Sequence, residues 1–238
     1  MTAYLLPHLY DAFYSHKDYE GESARVTELV VERNPGARTL LDVACGTGKH
    51  LEILRASFDV EGCDLNEELL AIARERLDAV PLEFADMRSL DPGRRFDAIT
   101  CLFSAIGHMR DVHELHAAVA AMARHLEVGG VLIVEPWIAP DAWIPGKPAL
   151  LTIDEPDLKV VRMTAAGRRN AVSIVDFHYL VGTPDGVESH FEHMELGLFT
   201  AEQMMAAFEA AGLVVEHDPE GLIGRGLFIG VRETPETG

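Results

Sequence analysis

Positive charge is scarce in this chain. Its 238 residues carry 20 Lys and Arg against 39 Asp and Glu, a formal net charge of −19. A surface of that sign repels polyanions, so neither nucleic acid nor an anionic membrane is an expected partner. Cysteine is scarce as well: Cys45, Cys63 and Cys101 are the three. An odd, irregularly spaced set beside apolar runs is no disulfide framework and fits a reducing cytoplasm. No apolar run is long enough to span a bilayer, and the N-terminus lacks a basic region followed by an apolar run and a small-residue cleavage site. There is no internal repeat and no low-complexity segment. What remains, with 48% hydrophobic residues, is the composition of an ordinary globular protein, long enough for one sizeable domain with an insertion.

Hydrophobic patterning gives the organisation. Residues 8–34 read as helical, with Tyr10, Phe13 and Tyr14 clustered and Val26, Leu29 and Val30 at helical spacing, and Asn34-Pro35-Gly36 as the stop. Strands are expected near 39–43, 60–64, 81–85, 97–103 and 130–135, and helices near 48–57, 66–78 and 111–126. That alternation implies right-handed crossovers and a parallel sheet covered on both faces. Residues 140–150 read as an irregular connector. Strands follow over 158–163, 171–181 and 187–199, with Ala165-Ala166-Gly167 and Pro184-Asp185-Gly186 as turns. A helix over 200–211, capped by Thr200 and stopped at Gly212, precedes strands near 213–217 and 226–231. Residues 233–238 read as a frayed end. The expected fold is α/β: a Rossmann-like, doubly wound, seven-stranded sheet with an inserted antiparallel sheet. The division is 1–136 (core with N-terminal helices), 137–199 (inserted sheet, a lid, substrate platform or dimer surface) and 200–238 (elements completing the core).

The chemistry concentrates where strands end. Leu40-Leu41-Asp42-Val43-Ala44-Cys45-Gly46-Thr47-Gly48 is a buried strand, a tight glycine turn and a helix start. Glycine lets the backbone turn sharply and lets a ligand lie against the main chain. A phosphate-cradling loop wants positive potential, yet Asp42 puts a carboxylate there. The ligand therefore presents a cation, such as the amino group or sulfonium of S-adenosylmethionine. Asp64 ends the second strand, where a doubly wound fold places the carboxylate for ribose hydroxyls. Asp86 follows the third strand and can accept from an adenine amino group, with Met87 against the ring. Each acid alone is as readily a helix cap or a solvated strand end. A nicotinamide dinucleotide fits less well, because the third glycine of its fingerprint is replaced here by Leu51.

Leu-Asp-Val-Ala-Cys-Gly-Thr-Gly with Asp64 and Asp86-Met87 resembles a class I S-adenosylmethionine-dependent methyltransferase. Phe96–His108, Val134-Glu135-Pro136-Trp137, Phe177–Val181, Gly224–Phe228 and Tyr10–Tyr14 resemble more narrowly the amino-sugar N,N-dimethyltransferases of antibiotic biosynthesis, which act on thymidine-diphosphate-linked 3- or 4-amino sugars. The resemblance covers nearly the whole chain. It implies S-adenosylmethionine as cofactor, held by Tyr14, Asp42, Ala44, Gly46, Gly48, Asp64, Leu65, Asp86, Met87 and Phe103. It also implies a nucleotide-sugar substrate and two successive methyl transfers.

Residue chemistry supplies the remaining roles. Methyl transfer from a sulfonium needs alignment, desolvation and a neutral amine. His108, after the fourth strand and the small-residue run Ser104–Gly107, is the candidate for orienting that amine or taking its proton, as its ordinary pKa suits proton exchange; otherwise it bonds a loop carbonyl. Tyr14 is the second catalytic candidate, closing over the donor with its hydroxyl near the amine; otherwise it packs with Phe13 and Tyr10. Glu135 binds the sugar or amine, or pairs with a basic residue. Trp137 stacks on a sugar or nucleobase, or anchors the connector. Arg225, between glycines, is the candidate diphosphate ligand, or else a surface ion pair. His178 faces the nucleotide or solvent, and Arg162, Arg168 and Arg169 have no assigned place. His113 with His116 and His190 with His193 lack partner ligands, so no metal is expected. The rival functions are methylation of another small amine or hydroxyl, and non-catalytic binding of S-adenosylmethionine.

Overall fold

The structure, a computed structural model, describes residues 6–233. After a 3-10 turn at Pro7–Leu9 come α1 (Tyr10–Phe13) and α2 (Tyr19–Arg33). An alternating run follows: β1 (Thr39–Val43), α3 (Lys49–Leu54), β2 (Asp59–Asp64), α4 (Glu67–Arg76), β3 (Leu82–Phe84), β4 (Phe96–Cys101), a 3-10 turn at Ala105–His108, α5 (Val112–Arg124) and β5 (Leu126–Val134). Next are β6 (Ala149–Glu155), β7 (Leu158–Arg169), β8 (Val172–Thr183) and β9 (Gly186–Gly197), and then α6 (Ala201–Ala210), β10 (Val214–Asp218) and β11 (Leu227–Val231). A seven-stranded sheet has the order β10-β11-β5-β4-β1-β2-β3, and β6–β9 form a separate antiparallel sheet. Strands β1 to β5 are parallel, and β11 and β10 add an antiparallel edge.

The two-residue period of the strands builds two cores. Leu40, Ala98, Val131, Ile133 and Ile229 pack with Val26, Leu29, Leu51 and Leu70 from α2, α3 and α4. Their chain neighbours Leu41, Ile99, Leu132, Val134 and Phe228 pack on the other face with Leu115 and Ala118 of α5 and Met204 and Phe208 of α6. Successive strand residues point to opposite faces, so an apolar run buried on both sides is what this sheet requires. Caps set the helix starts. The side chain of Asn66 accepts from the N–H groups of Glu68 and Leu69, that of Asp111 from Glu114, and Thr200 forms a reciprocal capping box with Gln203. Among the described residues, no helix is long and apolar enough to cross a membrane.

Three expectations need correction. The helix read over 8–34 is interrupted between Tyr14 and Asp18, because Asp18 caps a new start by accepting the Gly21 N–H. The turn read at 165–167 is continuous strand, and the chain turns instead at Asn170, with φ 55°. The connector read over 140–150 runs into β6, a strand edge paired throughout with β7. The frayed end read at 233–238 lies, Glu233 apart, outside the described residues.

Candidate active site

The crevice over the β1–β4 junction is where strand order reverses and where doubly wound sheets take their ligands. Tyr10, Tyr19, Asp42, Gly46, His50 and Phe103 are among its lining residues. Asp42 forms its floor rather than its lip. The side chain is buried, accepts the Thr100 hydroxyl at 2.7 Å across the two strands, and is pushed up to about 6 by burial. Asp64 accepts the N–H of Gly46 at 2.8 Å and of Asn66 at 2.8 Å, and burial raises it too. The glycine turn is thus tied to the end of β2.

That turn is built for close approach. Gly46 (φ +55°) faces open space, where an added Cβ would meet nothing within 4 Å, whereas a Cβ on Gly48 would strike Leu77. The turn is clamped from α1: Thr47 donates to Asp11 at 2.6 Å, and Arg76 binds both Asp11 and the Thr47 carbonyl. Ala44, Phe103 and Ser104 all have positive φ, at 61°, 52° and 63°. Non-glycine residues in that region are strained, and such strain collects at the functional ends of strands.

Beside the crevice stands a buried group that sequence reading missed. Lys17 and His50 converge on Glu22: Lys17 forms an ion pair with it, and His50 Nε2 lies 2.9 Å from its carboxylate. Burial works against the Glu22 charge, but the His50 and Lys17 hydrogen bonds outweigh it and hold the carboxyl below its ordinary range. The Lys17 ammonium lies 4.5 Å from the centre of the Phe103 ring. Only the fold brings residues 17, 22 and 50 together, and no local pattern marks them.

A second polar group lies at the ends of β4 and β5. Glu135 is fully buried; one oxygen accepts the Phe103 N–H at 2.6 Å, and Oε1 has no partner. Burial raises its pKa against the opposing pull of Lys17 and Arg225. Arg225 donates to Ser104 Oγ at 2.9 Å and lies 5.0 Å over the Trp137 ring, while Trp137 Nε1 donates to Ser173. His108 ends the neighbouring 3-10 turn, half-buried, and desolvation lowers its pKa, so neutral imidazole is favoured. Tyr14 packs edge-on against Phe103 and Tyr10, each at 4.8 Å between ring centres.

The remaining expected residues divide. Ala44 lines the crevice, Met87 is buried in the core, and Leu65 is exposed beside Asp64. Both oxygens of Asp86 are engaged by Arg88, which also reaches Glu114. His178 is a correction. Phe177 and Tyr179 point inward from β8, so strand parity turns His178 outward, where it is exposed against Phe191.

The comparisons decide the family. Residues 40–130 match the model of a methyltransferase domain. The dTDP-3-amino-3,6-dideoxy-alpha-D-glucopyranose N,N-dimethyltransferase of Streptomyces fradiae is 45% identical over 94% of this chain and 89% of its own length. The chain belongs to the S-adenosylmethionine-dependent amino-sugar N,N-dimethyltransferases. Among solved structures, the sugar N-methyltransferase KedS8 from Streptoalloteichus is similar with a TM-score of 0.90, at 42% identity over 98% of this chain and 96% of that one. CalS10 of Micromonospora echinaspora, an amino pentose methyltransferase solved with S-adenosylmethionine bound, is similar with a TM-score of 0.87, at 39% identity over 98% and 99%. The methyltransferase uses S-adenosylmethionine as its methyl donor. Its residues fit that group, since an open glycine turn is flanked by the buried carboxylate of Asp42 near the end of β1 and by Asp64, which accepts the Gly46 N–H.

Proposed function

We propose that the methyltransferase N-methylates, twice in succession, the amino group of a deoxyamino sugar linked to thymidine diphosphate, within natural-product biosynthesis. The observation that carries this reading is the unpartnered, fully buried Oε1 of Glu135, beside His108's turn and the Arg225–Trp137 pair. A buried acceptor without a donor is costly, and an amine or sugar hydroxyl satisfies it.

When bound, S-adenosylmethionine supplies an electrophilic methyl group on a sulfonium. Asp42, Ala44, Gly46 and Gly48 would hold its amino-acid end, Asp64 and Leu65 its ribose, and Asp86 and Met87 its adenine, with Asp86 shared with Arg88. Tyr14 and Phe103 close the crevice and exclude water. Holding two reactants in attack geometry removes roughly 7–11 kcal/mol of barrier in favourable cases. Glu135 and neutral His108 orient the amine, and His108 takes the proton the nitrogen loses. Trp137 and Arg225 contact the acceptor, and an indole face also suits a methylated ammonium.

The inserted sheet over 137–199 is read as acceptor platform and dimer surface. Its outward row Leu150, Met163, His178 and Phe191 runs across all four strands in register, and the three apolar members are exposed. The net charge of −19 and three buried thiols support a cytoplasmic protein without nucleic-acid partners. Incubation with S-adenosylmethionine and a panel of nucleotide-linked amino sugars, read by mass, tests the reading. Gain of one and then two methyl groups on a thymidine-diphosphate amino sugar is expected, and no gain on any member would refute it.

A further inference from the structure

Trp137 follows β5 and packs on the inserted sheet beside Val175, Met194 and Leu196. In this apolar neighbourhood sits the hydroxyl of Ser173, at the start of β8 and with no solvent exposure. Strand parity puts Ser173 on the same face as Val175, Phe177 and Tyr179. Packing alone would favour an alanine there, since a buried hydroxyl is costly unless it is bonded. Ser173 uses its hydroxyl twice. It accepts the Trp137 Nε1–H at 3.0 Å and donates to the Leu196 carbonyl at 2.9 Å. Its one donor is thereby committed to the sheet, and its acceptor side faces the indole.

Three further contacts hold the same ring. Gly107, next to His108, leaves room for it: a Cβ there would come within 2.8 Å of Trp137 Cβ. The Trp143 ring lies 5.9 Å away, centre to centre, and is itself tied by its Nε1–H to the Gly167 carbonyl at 2.8 Å. Arg225 stacks at 5.0 Å and donates to Ser104 Oγ, which donates in turn to the Pro136 carbonyl at 2.8 Å. Those three contacts are packing against the ring; the Ser173 bond is the directional one. We propose that Ser173 is a positioning residue for the acceptor: through Trp137 it sets the plane on which Arg225 stacks. The inference rests on the reading of Trp137 and Arg225 as acceptor contacts. It gives the inserted sheet a defined part in that site, through a residue 36 positions along the chain from Trp137.

Steady-state kinetics of the full chain, with the thymidine-diphosphate amino sugar that the wild type methylates, test it. The variants are Ser173→Ala, Ser173→Cys, Trp137→Phe and the double variant Ser173→Ala with Trp137→Phe. Ser173→Ala is expected to raise the acceptor KM about fivefold, the size of one lost neutral hydrogen bond, with kcat unchanged. Calorimetric titration should show unchanged affinity for S-adenosylhomocysteine. Trp137→Phe removes the same bond from the indole side. In that background Ser173→Ala should add no further loss, because the two changes share one interaction. Unchanged KM in Ser173→Ala overturns the inference. So do additive losses in the double variant, which mark a merely structural role. If Ser173→Ala no longer binds S-adenosylhomocysteine, its fold is damaged. Ser173→Cys, close in shape but a poor acceptor, then decides by the same criteria. A wild-type chain that methylates no nucleotide-linked amino sugar refutes the reading above. Normal methylation with indifferent Ser173 variants refutes this inference alone.

Discussion

Glu135 accepts the backbone N–H of Phe103 at 2.6 Å, joining the ends of two adjacent parallel strands. The bond fixes Phe103 and Ser104 in left-handed backbone at 52° and 63°, and leaves the second carboxylate oxygen, Oε1, without a partner. Structural anchoring and the proposed acceptor binding thus meet in one side chain, and substitution separates them. Glu135→Gln keeps an acceptor for Phe103 and is expected to lower kcat about tenfold or more while the donor Kd stays unchanged. Glu135→Ala adds a loss of roughly 1–3 kcal/mol in stability, because the Phe103 N–H is then unpaired. Steady-state kinetics and thermal denaturation read the two effects.

Arg225 stacks on Trp137 at 5.0 Å rather than standing free at the surface. Arg225→Ala is expected to raise the acceptor KM about 3–30-fold, from lost stacking and charge, and to leave S-adenosylmethionine affinity unchanged. Equal loss for both ligands would remove Arg225 from the acceptor side.

His108 titrates below its ordinary 6.5 because burial disfavours the imidazolium. Its neutral, proton-accepting form therefore persists at neutral pH. At saturating donor, kcat should fall only as pH drops through that depressed value. His108→Ala should lower kcat on the order of 10²-fold and abolish this acid limb. An unchanged profile in the variant would assign the limb to another group.

Asp42 carries the opposite signature. Its folded-state pKa of about 6 lies above the ordinary 3.8, so between these values the folded chain keeps a proton that the unfolded chain releases. Stability contributed by Asp42 therefore declines as pH rises through that window, while its negative charge, and with it affinity for a cationic donor, increases. S-adenosylmethionine binding should weaken by up to about tenfold per unit below pH 6. Asp42→Asn should bind weakly at all pH values and lose the dependence. Titration calorimetry from pH 5 to pH 8 separates these outcomes.

Legibility followed locality. The parallel core was readable because each strand, turn and helix announces itself within a few residues: Leu40 to Gly48 holds a strand, a turn and a helix start. Asp42, Asp64 and Glu135 could be grouped from the sequence because strand ends converge by topology alone. The buried Lys17–Glu22–His50 group was not legible, since it depends on how α2 packs against α3. Strand parity was readable in principle. Inward Val160 and Tyr179 set Arg162 on the inner face of the sheet and His178 on the outer one, but only once β7 and β8 are known to be continuous. The mistaken turn at 165–167 hid that continuity. Asp86 was placed correctly in the chain, yet its Arg88 partner two residues on makes it a shared acceptor rather than an open one.

The most direct test is a crystal structure of the chain with S-adenosylhomocysteine and a thymidine-diphosphate amino sugar. The account predicts the homocysteine sulfur within the β1–β4 crevice and the sugar nitrogen beside His108 and Glu135. A diphosphate lying over Gly46, or a nitrogen remote from both side chains, would contradict it.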